Sequence, residues 1–300
     1  MMSYCMLCPR GCKVDRSLGE KGFCGADSSI KIARSALHFW EEPCISGTKG
    51  SGTVFFSGCN MKCIYCQNYD ISTLGRGAEV TEQELAGEFI SLQEQGAHNI
   101  NLVTPTHYVP GIMNALDIAR GRGLCIPVAY NCGGYESVET IERLSGYVSI
   151  YMPDIKYFSD KYAVEYSKAP NYFEYATKAL DAMVSQAGEP VLDDDGIMQS
   201  GVIVRHLMLP GMLFDTKKIM DYLSTNYGDS IYISLMSQYT PMPAATCHKK
   251  LCHRINEAHY ESMVDYIEYL GLKNVFIQDI SSSGEEYIPP FSQELHQETS

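Results

Sequence analysis

Six short apolar runs alternate with helical patterns along this chain. The runs are Thr53–Ser57, Ile100–Thr104, Ile126–Tyr130, Val148–Met152, Val202–Met208 and Ile231–Met236, with a weaker seventh at Val275–Gln278. Each is β-branched or aliphatic, the composition of a strand covered by helices. Thr81-Glu82-Gln83-Glu84 is a capping box ahead of a helix that buries Leu85, Phe89 and Leu92. Further helical patterns run from about Ile112 to Arg120, Val138 to Leu144, Phe173 to Val184, Lys217 to Leu223 and Ile255 to Leu270. Strand–helix alternation predicts parallel βαβ units. Six such units fit an α/β fold, a complete or partial (β/α) barrel, and the partial (β/α)6 TIM-type barrel is the expected form. The first 50 residues lack this rhythm and read as a small cysteine-rich module at 1–50, followed by the barrel with a C-terminal extension at 51–300. Gly188–Gly201, with Asp193-Asp194-Asp195-Gly196, reads as a solvated loop.

Charge narrows the partners. The chain has 23 Lys+Arg against 36 Asp+Glu, a net charge of −13. So acidic a chain has no general field for nucleic acid and is repelled by an anionic membrane. No apolar stretch reaches bilayer length. The opening Met1-Met2-Ser3-Tyr4-Cys5 has neither a basic nor an apolar signal region. The expected location is therefore cytoplasmic, where thiols stay reduced. The 12 cysteines are then packing residues, metal ligands or reactive groups, and spacing must separate them.

Three of them sit together. Ser57-Gly58-Cys59-Asn60-Met61-Lys62-Cys63-Ile64-Tyr65-Cys66-Gln67-Asn68 follows the first strand directly, with spacing C-x3-C-x2-C. That is the strand end where a β/α barrel places its chemistry. A structural zinc site closes with four ligands, and no fourth cysteine is near. Three cysteines leave one corner of a [4Fe–4S] cluster free. This motif resembles the signature of the radical S-adenosylmethionine (radical SAM) enzymes. The resemblance implies that Cys59, Cys63 and Cys66 hold the cluster and that Tyr65 packs near the SAM adenine. It also implies that the reduced cluster cleaves SAM to a 5′-deoxyadenosyl radical, which takes a hydrogen from the substrate.

From about Ala33 onward the chain resembles a group close to the pyruvate formate-lyase activating enzyme, which installs a glycyl radical on a partner enzyme. The specific runs are His38-Phe39-Trp40-Glu41-Glu42-Pro43-Cys44-Ile45-Ser46-Gly47, Gly50-Ser51-Gly52-Thr53-Val54-Phe55-Phe56, Asn99-Ile100-Asn101-Leu102-Val103-Thr104-Pro105-Thr106-His107-Tyr108 and Arg205-His206-Leu207-Met208-Leu209-Pro210-Gly211. Met152-Pro153-Asp154-Ile155-Lys156 matches the activase Met-x-Asp-x-Lys pattern. By that resemblance Asp154 and the Met152 backbone place a monovalent cation beside the SAM carboxylate, with Lys156 near SAM. Asn131 and Gly133 match a turn near the ribose. Where activases carry Gly-Gly-Glu to bind the SAM amino group, this chain has Thr104-Pro105-Thr106. Hydroxyls or carbonyls of Thr104 and Thr106 are the candidate acceptors.

His107, a titratable ring at a strand's C-terminal end, is a candidate catalytic group with Lys156. One of Arg205 and His206 must face the interior, because strand side chains alternate. Gln238 and Tyr239, after the sixth strand, are candidate contacts to SAM or substrate.

Cys5, Cys8, Cys12 and Cys24 follow C-x2-C-x3-C-x11-C. Four thiolates suit zinc or a second iron–sulfur cluster. Metal would order a segment so poor in apolar residues. Cys125 and Cys132 bracket the third strand as packing residues, and Cys44 precedes the first. Cys247 and Cys252 read as chance surface placement. The expected partners are SAM, a low-potential donor such as flavodoxin or ferredoxin, and a glycyl-radical enzyme. A peptide or small metabolite is the competing substrate. A non-catalytic iron–sulfur carrier or zinc-bound interaction module is the competing class.

Overall fold

The computed structural model describes residues 4–280. The expected C-terminal extension beyond residue 280 lies outside them. In chain order the elements are β1 (Ile30–His38), α1 (Pro43–Ser46), β2 (Ser51–Phe56), α2 (Tyr69–Ser72), β3 (Ala78–Val80), α3 (Glu82–Glu94), β4 (Ile100–Val103), α4 (Val109–Gly121), β5 (Val128–Cys132) and α5 (Val138–Arg143). They continue with β6 (Ile150–Pro153), α6 (Asp160–Ser167), α7 (Tyr172–Ala187), β7 (Val191–Leu192), β8 (Met198–Leu207), α8 (Leu213–Asn226), β9 (Tyr232–Met236), α9 (Glu257–Tyr269) and β10 (Val275–Ile277).

The six expected strands are β2, β4, β5, β6, β8 and β9. They pair in parallel and in sequence order. The weaker seventh, β10, joins β9 in parallel. The full order is β10-β9-β8-β6-β5-β4-β2-β1-β3, a linear path that leaves the barrel partial. Thr81 caps α3 through the expected reciprocal box with Glu84.

Three departures have physical causes. β1 runs antiparallel on β2 from Ile32↔Phe56 to His38↔Ser51. Only Ile30 and Ile32 of it are fully buried. It therefore lacks the continuous apolar run that marks a strand covered on both faces. Residues 30–50 thus belong to the sheet and its floor, and the cysteine-rich segment ends before Ile30. Gly188–Gly201 is not a free loop: β7 pairs antiparallel with the start of β8, and Asp193 accepts the Asp195 and Ile197 amides to close the turn. Finally, α6 carries no long apolar stripe: of its eight residues Ala163, Tyr166 and Ser167 are buried and four are exposed.

Two cores result. The larger lies between the sheet and its helices. The smaller fills the floor of the barrel with Cys44 and Ile45 of α1 against Ala129, Ile150, Met152, Met198 and Ile203. Odd-numbered β5 residues, odd-numbered β8 residues from Ile203 onward and even-numbered β6 residues face inward. Asn131, Asp154 and Arg205 consequently stand above this floor, in line with the strand ends.

Candidate active site

A cavity of about 240 Å³ opens at the C-terminal ends of the parallel strands. Cys59, Cys63 and Cys66 line one end, with Thr104, Asn131, Gly133, Asp154 and Lys156. His38, Trp40, Glu41, Phe55, Arg205 and Leu207 line the other, and Gln238 and Tyr65 also reach the wall.

Each cysteine sulfur has its own donor. The Met61 amide donates to Cys59 Sγ at 3.3 Å, the Ser167 hydroxyl to Cys63 Sγ at 2.9 Å and the Ser72 hydroxyl to Cys66 Sγ at 3.2 Å. The Tyr65 and Tyr157 hydroxyls lie 2.7 Å apart, and Tyr157 reaches Ser167 Oγ at 2.6 Å. Since the Ser167 proton goes to sulfur, Tyr157 donates to Ser167 and Tyr65 to Tyr157. Burial pushes the Cys59 thiol up to about 12 and the Cys66 thiol up as well, helped in both by neighbouring Cys63. Free thiols here stay protonated, so a bound metal must displace those protons.

Lys156 Nζ lies 2.5 Å from Asp154 Oδ2, both largely buried. Burial opposes the lysine charge, yet Asp154 and the thiols of Cys63 and Cys66 hold its pKa above the ordinary value. Gly134 lets the turn after β5 come close to the Asp154 backbone: at φ +77° an added Cβ would stand 2.1 Å from the Asp154 carbonyl. Tyr172 ties the same turn, donating to the Gly133 and Asp154 carbonyls at 2.9 and 2.8 Å.

Thr104 carries the backbone strain of the site. It has φ +59° although it is β-branched and precedes Pro105. Its amide donates to the Asn131 carbonyl at 2.8 Å. Its neighbours in the motif turn elsewhere. Thr106 donates to Glu136 at 2.7 Å in the buried outer layer. His107 is also drawn off the pocket: it is buried, bonded to the Ser57 carbonyl at 2.7 Å and packed on Tyr108. Met152 joins the floor core through its side chain. His206 faces outward, held by the Ile155 carbonyl and Thr216 at 2.6 and 3.0 Å. Arg205 is the inward member of that pair. Tyr239 is buried and donates to the Leu251 carbonyl. Gln238 lines the pocket, and its carbonyl accepts from Gln67.

Sequence patterns had no signal for the charge network at the Arg205 end. Arg205 pairs with Glu41 at 3.0 Å and Glu42 at 3.4 Å, while Asn101 donates to Glu41 at 3.1 Å. Burial raises the Glu41 pKa despite Arg205. Among the described residues the buried acceptors Glu42 Oε2 and Asn101 Oδ1 have no hydrogen-bond partner. Glu136, held by Thr106 and Tyr130, is a second group that spacing did not reveal.

A sequence model of the Radical SAM superfamily matches residues 53–223, more than half of the chain. The chain belongs to the radical SAM superfamily. An uncharacterized protein of Methanocaldococcus jannaschii, MJ0674, is 29% identical over 282 residues, covering 91% of this chain and 76% of its own. Among solved structures, Streptococcus suis SuiB bound to precursor peptide SuiA superposes with a TM-score of 0.51 at 14% identity, over 74% of this chain and 46% of SuiB. This radical SAM chain therefore spans under half of SuiB. Methylornithine synthase (PylB) gives a TM-score of 0.50 at 13% identity, over 73% of this chain and 68% of its own. Both likenesses are of fold.

Membership in the radical SAM superfamily implies a [4Fe–4S] cluster and SAM, and the donor set fits. Three thiols line one cavity, each sulfur already takes one hydrogen bond, and a buried lysine offsets their charge. Among the described residues no three Cys, His, Asp or Glu side chains crowd closely enough for a single metal ion. No helix among the described residues is long and apolar enough to cross a membrane.

Proposed function

We propose that this radical SAM protein takes a hydrogen atom from a polypeptide, with the backbone glycine of a partner enzyme as the leading substrate. The observation that carries the polypeptide class is the far end of the cavity. Trp40 lines it and is nonetheless 67% exposed. An exposed aromatic at a mouth suits an anchoring contact with another protein. A small metabolite held wholly inside needs none. SuiB, of the same fold, is seen with a precursor peptide, which supports the reading without identifying the substrate. The glycine within that class rests on the activase resemblance of the runs from Ala33 onward.

When bound, the cluster supplies one electron to the SAM sulfonium, giving methionine and the 5′-deoxyadenosyl radical. The residues of the chain do the rest. Cys59, Cys63 and Cys66 hold iron as thiolates. Lys156 and Asp154 offer paired charges to the amino-acid end of SAM, with the Met152 backbone as the other cation contact. Thr104 takes the ammonium in place of the activase Gly-Gly-Glu, and Asn131, Gly133 and Gln238 border the nucleoside. Tyr65 acts chiefly through its hydroxyl chain to Cys63. The source of electrons is a flavodoxin or ferredoxin.

The test has two stages. Anaerobically reconstituted protein with SAM and dithionite is expected to release 5′-deoxyadenosine. None, with iron and sulfide intact, overturns the chemistry. A co-encoded glycyl-radical candidate, added next, is expected to show a glycyl doublet by electron paramagnetic resonance. Deuterium passing from a labelled metabolite into 5′-deoxyadenosine, with no glycyl doublet, would overturn the polypeptide reading.

A further inference from the structure

The segment before Ile30 has almost no apolar core. Among its described residues only Cys5, Cys24 and Ala26 are buried, and it contains no strand or α-helix. Its four cysteines are nevertheless brought together. The Arg16 guanidinium donates to Cys24 Sγ at 3.1 Å and also reaches Cys5. Cys8 feels the charges of both Cys5 and Cys24. The Phe23 amide, next to Cys24, donates to Cys12 Sγ at 3.4 Å.

This cradle repeats a feature of the catalytic one. The amide two residues downstream donates to sulfur at Cys8 (from Arg10), at Cys59 (from Met61) and at Cys66 (from Asn68). The first three cysteines of the outer set follow C-x2-C-x3-C, the reverse order of the catalytic C-x3-C-x2-C. Four thiolates suit zinc or a cluster, and the position of the set decides between them.

Position supplies the function. The Cys59 amide donates to the Cys24 carbonyl at 3.3 Å, so a ligand of one site is bonded to a ligand of the other. Gly58, at φ +91°, permits this: an added Cβ would stand 2.8 Å from that carbonyl. Arg10 fastens the two loops, donating to the Asn60 carbonyl at 2.8 Å and stacking on Phe23 at 3.7 Å. On its other side the cysteine segment borders a cavity of about 640 Å³ that includes Tyr4, Cys5, Met6 and Cys8. Tyr4 and Met6 there are more than half exposed.

We propose that Cys5, Cys8, Cys12 and Cys24 hold a second iron–sulfur cluster that passes electrons to the catalytic site across the Cys24–Cys59 hydrogen bond. A low-potential protein donor of the flavodoxin or ferredoxin class gives one electron to the outer cluster. The outer cluster returns to its oxidised form as that electron moves to the inner one, and no atom is transferred. Arg16 places a fixed positive charge beside the sulfurs that gain negative charge on reduction.

Two preparations of the full chain test this. A Cys59→Ala/Cys63→Ala/Cys66→Ala variant, reconstituted anaerobically, is expected to keep about half the iron and sulfide of the parent and to show a reduced-cluster resonance with dithionite. Zinc in place of iron, or no metal, overturns the proposal. A Cys8→Ala/Cys12→Ala variant is compared with the parent for SAM cleavage driven by reduced flavodoxin and by dithionite. The flavodoxin-to-dithionite rate ratio is expected to fall at least tenfold, and an unchanged ratio overturns the relay. The proposal rests on the radical SAM reading, but the two fail separately. Loss of SAM cleavage in the parent would sink that reading, while iron in the triple variant reports on the outer site alone.

Discussion

The Ser167 hydroxyl, at the end of α6, donates to Cys63 Sγ at 2.9 Å across 104 residues of chain. It is the last link of a chain of hydroxyls from Tyr65 through Tyr157. Hydrogen bonds to thiolates stabilise the reduced, more negative form of a cluster. Ser167→Ala should therefore lower the midpoint potential, on the order of 50 mV for a bond of about 1 kcal/mol. Spectroscopically monitored titration measures it. A potential unchanged or raised would show that this bond does not tune the site.

Arg205 balances two buried carboxylates, Glu41 and Glu42, inside the barrel. Arg205→Met strands both. It should destabilise the fold by about 3–5 kcal/mol, the usual cost of leaving a buried charge uncompensated. The triple change Glu41→Gln/Glu42→Gln/Arg205→Met should recover most of that loss. Urea unfolding distinguishes the two, and an unaltered midpoint for the single variant would show that the network bears no stability.

Thr104 holds a left-handed conformation that suits glycine. Such strain costs about 1–3 kcal/mol and persists where the fold or the site requires it. Thr104→Gly should raise the melting temperature while weakening SAM binding, since the hydroxyl is lost and the backbone loosens. Equilibrium dialysis against SAM reports the second effect. Unchanged affinity would remove Thr104 from the SAM contacts.

Burial pushes the Glu136 carboxyl from 4.5 up to about 8. A carboxyl whose folded value lies above its unfolded value favours the native state only while protonated. Its contribution is complete below pH 4.5 and is lost as pH rises to about 8. His107 and His206 run the other way. Burial lowers both from 6.5 to about 4, so their contribution is complete above 6.5 and is lost as pH falls towards 4. Glu136→Gln should flatten the alkaline limb of a stability profile and leave the acid limb in place. An alkaline limb as steep as in the parent protein would assign that loss to another group.

The barrel was legible because its cause is local and repeated. Val54, Leu102, Tyr130, Tyr151 and Val204 each sit in a run whose composition alone demands burial under helices. Strand ends moved by up to four residues, as at the start of β8, because the β7 hairpin extends that strand beyond its apolar stretch. β1 was not legible, since an antiparallel strand at the sheet's flank needs only Ile30 and Ile32 inside.

In the site, local spacing carries Cys59, Cys63 and Cys66, and the Met-x-Asp-x-Lys pattern carries Asp154 and Lys156. Those relations are settled within eight residues of chain. Which of Arg205 and His206 faces inward was not, because alternation gives two equal registers until β6 and β9 pair with β8. His107 was expected in the pocket from its place after a strand. A turn at Thr106–Tyr108 takes it instead to the Ser57 carbonyl. Ser167, Glu41 and Cys24 meet the site from 104, 164 and 35 residues away from their partners Cys63, Arg205 and Cys59. No periodicity encodes such meetings. They exist because a curved parallel sheet gathers its strand ends around one cavity, and packing there decides which distant side chains share it.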